Sequence, residues 1–193
     1  MDSVERLITN QDLLELFRQE KERQKAFPPA TNLLPDEIFW RDHQVWLQEK
    51  GYMLRPRYHP DWIPSSPTYV RSKYWAVPED ATLPYSPHIL DAKRISTGEL
   101  VMLKKVSKTY HPEEADIHEF LTADPFDSYP ENHCAPLYET LQSPNDEDIT
   151  LLVLPLYRRF DDPPFETVGE IVEFFRQIFE GLRFMHQCHV AHW

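Results

Sequence analysis

The sequence predicts an α+β fold: a small antiparallel sheet with one helix packed on it, and a long helix closing the chain. Three observations carry this. Two runs of strand-forming residues, 89–95 and 99–106, flank Ser96-Thr97-Gly98, a short turn of hairpin character. Two more, 137–142 and 149–154, flank the turn-rich stretch 143–148. Between the pairs lies one short helical segment, 112–122, and after them apolar residues recur at steps of three and four from Val168 to Met185, the period of an amphipathic helix. Strands arriving in pairs, with helices set apart from them, imply an antiparallel sheet.

In chain order, the first expected helix covers 9–26. Leu13, Leu14, Leu16 and Phe17 supply an apolar side, Thr9 or Asn10 the cap, and Phe27-Pro28-Pro29 the stop. A second covers 36–50, with Ile38, Phe39, Val45, Trp46 and Leu47, and stops at Gly51. Residues 52–87 hold seven prolines among Trp62, Tyr69, Tyr74, Trp75 and Tyr85. Prolines at this density exclude regular helix, and the aromatic rings give an extended segment something to dock with. Ordered coil laid over the core is expected there, ahead of a proline-rich ligand, because no P-x-x-P repeat with flanking basic residues recurs. The closing helix carries Val168, Ile171, Phe174, Phe175, Ile178, Phe179, Leu182 and Met185 in one stripe.

Bulk composition narrows the function classes. The 193 residues are 41% apolar and 13% aromatic, enough for one sizeable core. Twenty Lys and Arg stand against 32 Asp and Glu, for a net charge of -12. That balance argues against nucleic acid and anionic membrane as partners, because phosphate binding needs clustered cations. Cys134 and Cys188 are the two cysteines, so no disulfide framework is indicated. Residues 1–10 lack a basic start followed by an apolar run, and no apolar run is long enough to span a bilayer. An intracellular setting, cytoplasmic or nuclear, is therefore expected. With four glycines among 18 prolines, neither kind of glycine-rich phosphate loop fits anywhere. His186, Cys188, His189 and His192 cluster in sequence, yet no further cysteine or carboxylate stands at ligand spacing, so no metal site is expected.

Glu99-Leu100-Val101-Met102-Leu103-Lys104 resembles the protein kinase strand that ends in the nucleotide lysine. Strand alternation puts Met102 and Lys104 on one face and Val101 and Leu103 on the other. Helix 112–122 stands where that family places its C helix, Leu151-Leu152-Val153-Leu154-Pro155-Leu156-Tyr157 resembles the strand entering the hinge, and 181–192 resembles the approach to the catalytic loop. More narrowly, His43-Gln44-Val45-Trp46-Leu47, Arg55-Pro56-Arg57-Tyr58, Asn132-His133-Cys134 and Phe160-Asp161-Asp162-Pro163 resemble a group of kinase-like proteins from mushroom-forming fungi.

The resemblance implies a division into an extension over 1–84, a kinase-like small lobe and hinge over 85–165, and the first helix of a larger lobe over 166–193. It implies that Lys104 meets the phosphates of ATP, held by an acidic partner on the C helix. Asp116 is the expected partner, with Glu113 or Glu114 as substitutes. Leu154 takes the gatekeeper position, and the backbone from Pro155 through Leu156 to Tyr157 faces adenine, with Tyr157 as a donor because Pro155 has no N–H. Met102 replaces the small residue usual beside the ring, and its thioether fills part of the space. The family's catalytic Asp and its metal-binding Asn and Asp have no counterpart here, since Trp193 follows His192. A truncated, catalytically inactive kinase-like domain with ATP binding is thus the first expectation.

The alternative is an interaction module. Leaving about five side chains of the closing helix's apolar stripe wet forfeits roughly 1.5–3 kcal/mol each, comparable with the roughly 5–15 kcal/mol of a whole domain. Ile171, Phe174, Phe175, Ile178, Phe179 and Leu182 would then meet a protein partner.

Overall fold

The computed structural model describes residues 33–63, 84 and 86–191. The expected helix over 9–26, the proline-rich run 64–83 with Tyr85, and His192 and Trp193 lie outside the described residues.

β2 (Ile89–Arg94) and β3 (Leu100–Ser107) form the first hairpin, with Ile89 opposite Lys104 and Lys93 opposite Leu100. Gly98 in its turn has φ +76°, a left-handed conformation open to glycine without steric cost. β4 (Glu139–Gln142) and β5 (Ile149–Pro155) form the second, and β5 lies along β3 from Val101 opposite Pro155 to Ser107 opposite Ile149. A two-residue strand that the prolines hid, β1 (Tyr52–Met53), adds to the free edge of β2. The order is β1-β2-β3-β5-β4, antiparallel throughout. The α+β architecture is as expected.

Side-chain alternation gives the sheet two apolar faces. Leu90, Ala92, Val101, Leu103, Leu141, Leu151 and Val153 share one core with Trp40, Leu47, Tyr52, Leu54 and Tyr58. Val106, Leu152 and Leu154 form a second cluster with Met102, Ala115 and Leu137. β5 feeds both, which is why residues 151–155 are an unbroken buried run instead of an alternating one.

α1 (Pro35–Glu49) brings Trp40 and Leu47 to the first face. The segment expected as an extension supplies a helix and a two-residue strand to the same core, and the sheet carries a helix on each face where one was expected. A buried ion pair sets the start of α1: Arg57 Nε and Nη2 donate to the Glu37 carboxylate at 2.5 and 2.9 Å, and Tyr58 Oη donates to it at 3.3 Å. Glu37 also accepts from Leu34 N at 2.8 Å, taking up a backbone donor at the helix N-terminus. Arg57 and Tyr58 belong to a 3₁₀ turn, Pro56–Tyr58. Farther along α1, His43 Nε2 lies 2.8 Å from Ser143 Oγ, and its Nδ1 lies 2.8 Å from Phe39 O. That contact ties α1 to the β4–β5 turn.

α2 (Glu114–Thr122) lies on the second face, with Ala115 against the Val106, Leu152 and Leu154 cluster. α3 (Val168–Gln187) starts at Thr167, whose hydroxyl accepts from Glu170 N at 3.2 Å while Glu170 Oε2 accepts from Thr167 N at 3.4 Å, a reciprocal capping box. α3 meets the segment that follows α2. Phe184 is buried beside Phe126 and Tyr129, at ring-centroid distances of 6.4 and 5.7 Å, and Glu180 bonds His133 at 2.9 Å. A β-carbon on Gly181 would stand 3.3 Å from that of His133, so glycine permits the close approach. Among the described residues no helix is long and apolar enough to cross a membrane.

Candidate functional site

β3 presents Met102 and Lys104 toward α2, and Val101 and Leu103 toward α1. Strand alternation alone accounts for this. Met102 stands directly opposite Leu154, and Lys104 opposite Leu152. Lys104 Nζ forms an ion pair with Glu114 Oε1 at the first turn of α2, and both side chains are about one-third exposed, at 38% and 30%. The pair joins the central strand to the helix on its second face.

The carboxylate in that pair is Glu114, and Asp116 is exposed. Helix geometry gives the reason. At about 100° per residue, Asp116 points roughly 200° away from Glu114. Ala115, His118 and Leu121 turn inward with Glu114, while Asp116, Glu119 and Phe120 turn out. Phe120, one turn after Asp116, is likewise exposed and packs on Phe126 at a centroid distance of 4.4 Å.

His118 joins the site without having been expected there. It lies one turn after Glu114 on the same side of α2, and its Nε2 is 2.8 Å from the carbonyl oxygen of Ala135. The carbonyl can only accept, so Nε2 carries the proton and donates. Burial holds the His118 pKa below the ordinary histidine value, and the Lys104 charge pushes the same way, against the Ala135 bond and the Glu114 charge. The i, i+4 spacing from Glu114 was the available signal; it became usable only once Glu114 was known to face inward.

At the far end of β5, Pro155 is buried opposite Val101, whereas Leu156 and Tyr157 are exposed. Tyr138 lies near Tyr157, its hydroxyl donating to Glu99 at 3.0 Å and its ring under the Arg94 guanidinium at 4.7 Å. The structure thus gathers Met102, Lys104, Leu154 and Glu114 between β3, β5 and α2, and leaves Asp116 outside. Leu156 and Tyr157 sit at the edge where β5 emerges.

Lys105, next in sequence, goes the other way, its Nζ 4.7 Å from the centroid of the Phe39 ring on α1. The two adjacent lysines therefore serve different faces. Among the described residues no three or more His, Cys, Asp or Glu side chains are gathered as a metal-binding group. In comparisons with known proteins, no protein-family model matches the chain and no curated protein matches it.

Proposed function

We propose that this chain carries a kinase-like nucleotide site between β3, β5 and α2, one that binds ATP and does not transfer phosphate. The observation that carries the reading is the Lys104–Glu114 ion pair. A lysine on a central strand, held by a carboxylate on the helix packed against that strand, presents its ammonium at a set place without being buried. Polyphosphate recognition needs such a positioned cation.

The neighbouring residues fit an aromatic base. Met102, partly exposed beside Lys104, offers the polarizable side chain on which a planar ring packs, with Leu154 buried opposite it across β3 and β5. Leu156 and Tyr157 follow where the strand becomes exposed and offer backbone groups to the edge of the base. Lys104 supplies the cation, Glu114 its position, and His118 holds α2 against Ala135. No residue here is assigned a catalytic role.

Calorimetric titration of the full chain with ATP tests the reading. Saturable binding is expected, weakened at least tenfold in Lys104→Ala and by a smaller factor in Glu114→Gln, and unchanged in Asp116→Asn. Absence of binding to the wild-type chain, or Lys104→Ala binding as tightly as wild type, would overturn it.

A further inference from the structure

α3 meets residues 126–133 by the side opposite most of its apolar stripe, while Phe174, at the stripe's edge, packs on Phe160 and Phe165 at centroid distances of 5.2 and 5.4 Å. Phe184, Glu180 and Gly181 make the contacts with residues 126–133. At about 100° per residue, Phe184 stands roughly 180° around the helix from Phe175, and Val168, Ile171, Val172, Ile178, Phe179 and Leu182 fall within about 60° of Phe175 on either side. They face out: Val168 is 75% exposed, Val172 62%, Phe175 49% and Phe179 64%.

The spacing of these seven residues is the same read from either end. Val168 and Leu182, Ile171 and Phe179, and Val172 and Ile178 lie at equal distances on the two sides of Phe175. We propose that α3 pairs with α3 of a second copy of this chain, antiparallel, about a two-fold axis at Phe175. Each of these seven side chains then meets an apolar one, as an isologous interface requires.

Charge selects the antiparallel arrangement. Each copy carries -12, and the body of the protein hangs from the Phe184 end of a 20-residue helix, about 30 Å long. Antiparallel pairing sets the two acidic bodies at opposite ends, where parallel pairing sets them side by side, and it also aligns the helix dipoles favourably. Area sets the strength. Six half-exposed side chains, Phe175 and Phe179 at about half of the ~150–250 Å² that an aromatic ring offers and the four smaller ones at less, give about 500 Å² per copy. Phe160, exposed and stacked on Phe174 at 5.2 Å, widens the patch. The total of about 1,000 Å² is at the low end for a specific interface, so the dimer dissociates on dilution and tightens as salt screens the repulsion.

Sedimentation velocity of the full chain over a hundredfold concentration range tests this, with single-cysteine crosslinking in a Cys134→Ser, Cys188→Ser background. Reversible dimers are expected, lost in Phe175→Glu, which sets two carboxylates against each other at the axis. Phe175→Cys is expected to crosslink to itself, and Ile171→Cys to crosslink with Phe179→Cys faster than either does alone. A wild-type monomer at every concentration overturns the proposal, whether or not it binds an apolar dye. So does a dimer that survives Phe175→Glu, or Ile171→Cys crosslinking fastest to itself.

Discussion

Lys104 and Lys105 are adjacent on β3, yet one pairs with Glu114 on α2 and the other lies over Phe39 on α1. Neither contact follows from residue type; both follow from the two-residue period of a strand with a helix on each face. His118 adds a pH dependence to the Lys104 side. Its folded pKa lies below the ordinary value of 6.5, so between the two values the unfolded chain binds more protons and stability rises with pH. This contribution is fully present above about pH 6.5 and is lost as pH falls through the folded value. In urea unfolding of the wild type, the midpoint is expected to drop between about pH 7.5 and pH 5. His118→Gln, which keeps a donor for Ala135 and cannot titrate, is expected to flatten that drop. An equally steep loss in the variant would assign it to other groups.

At the scale of elements, α1 is held by polar contacts that its apolar pattern does not reveal. Glu37 is fully buried, and its carboxylate accepts from Arg57, Tyr58 and Leu34. Removing one member of a buried pair strands the other charge, and Glu37→Ala is expected to cost about 3–5 kcal/mol. Asp36→Ala, one residue earlier on the exposed side, is expected to stay within about 0.5 kcal/mol. Equilibrium unfolding in urea separates the two, and equal effects would contradict the clamp. α2 shows the complementary lesson. Glu113, Glu114 and Asp116 are alike in charge, and the phase of the helix on the sheet decides that Glu114 meets Lys104.

Across the whole molecule, the sheet is covered on both faces, while α3 is attached along part of one side. Phe184 is its buried anchor among Phe126 and Tyr129. Phe184→Ala is therefore expected to lower hydrogen-exchange protection in α3 and leave the amides of β3 and β5 unchanged, since local opening need not unfold the core. Matched losses in helix and sheet would show one cooperative unit instead. By itself, the sequence determined the four longer strands, their two hairpins and all three described helices, because strand alternation, turn residues and a 3.6-residue period are local signals. It also determined that Met102 and Lys104 share a face. β1 escaped because two residues are too few to show a period and they head a proline-rich run. The tertiary structure alone decided that α1 belongs to the core, that Glu114 and not Asp116 meets Lys104, and that α3 turns its apolar stripe outward. Each of those depends on how one element is rotated and placed against another, and rotation is set by packing partners distant in the chain.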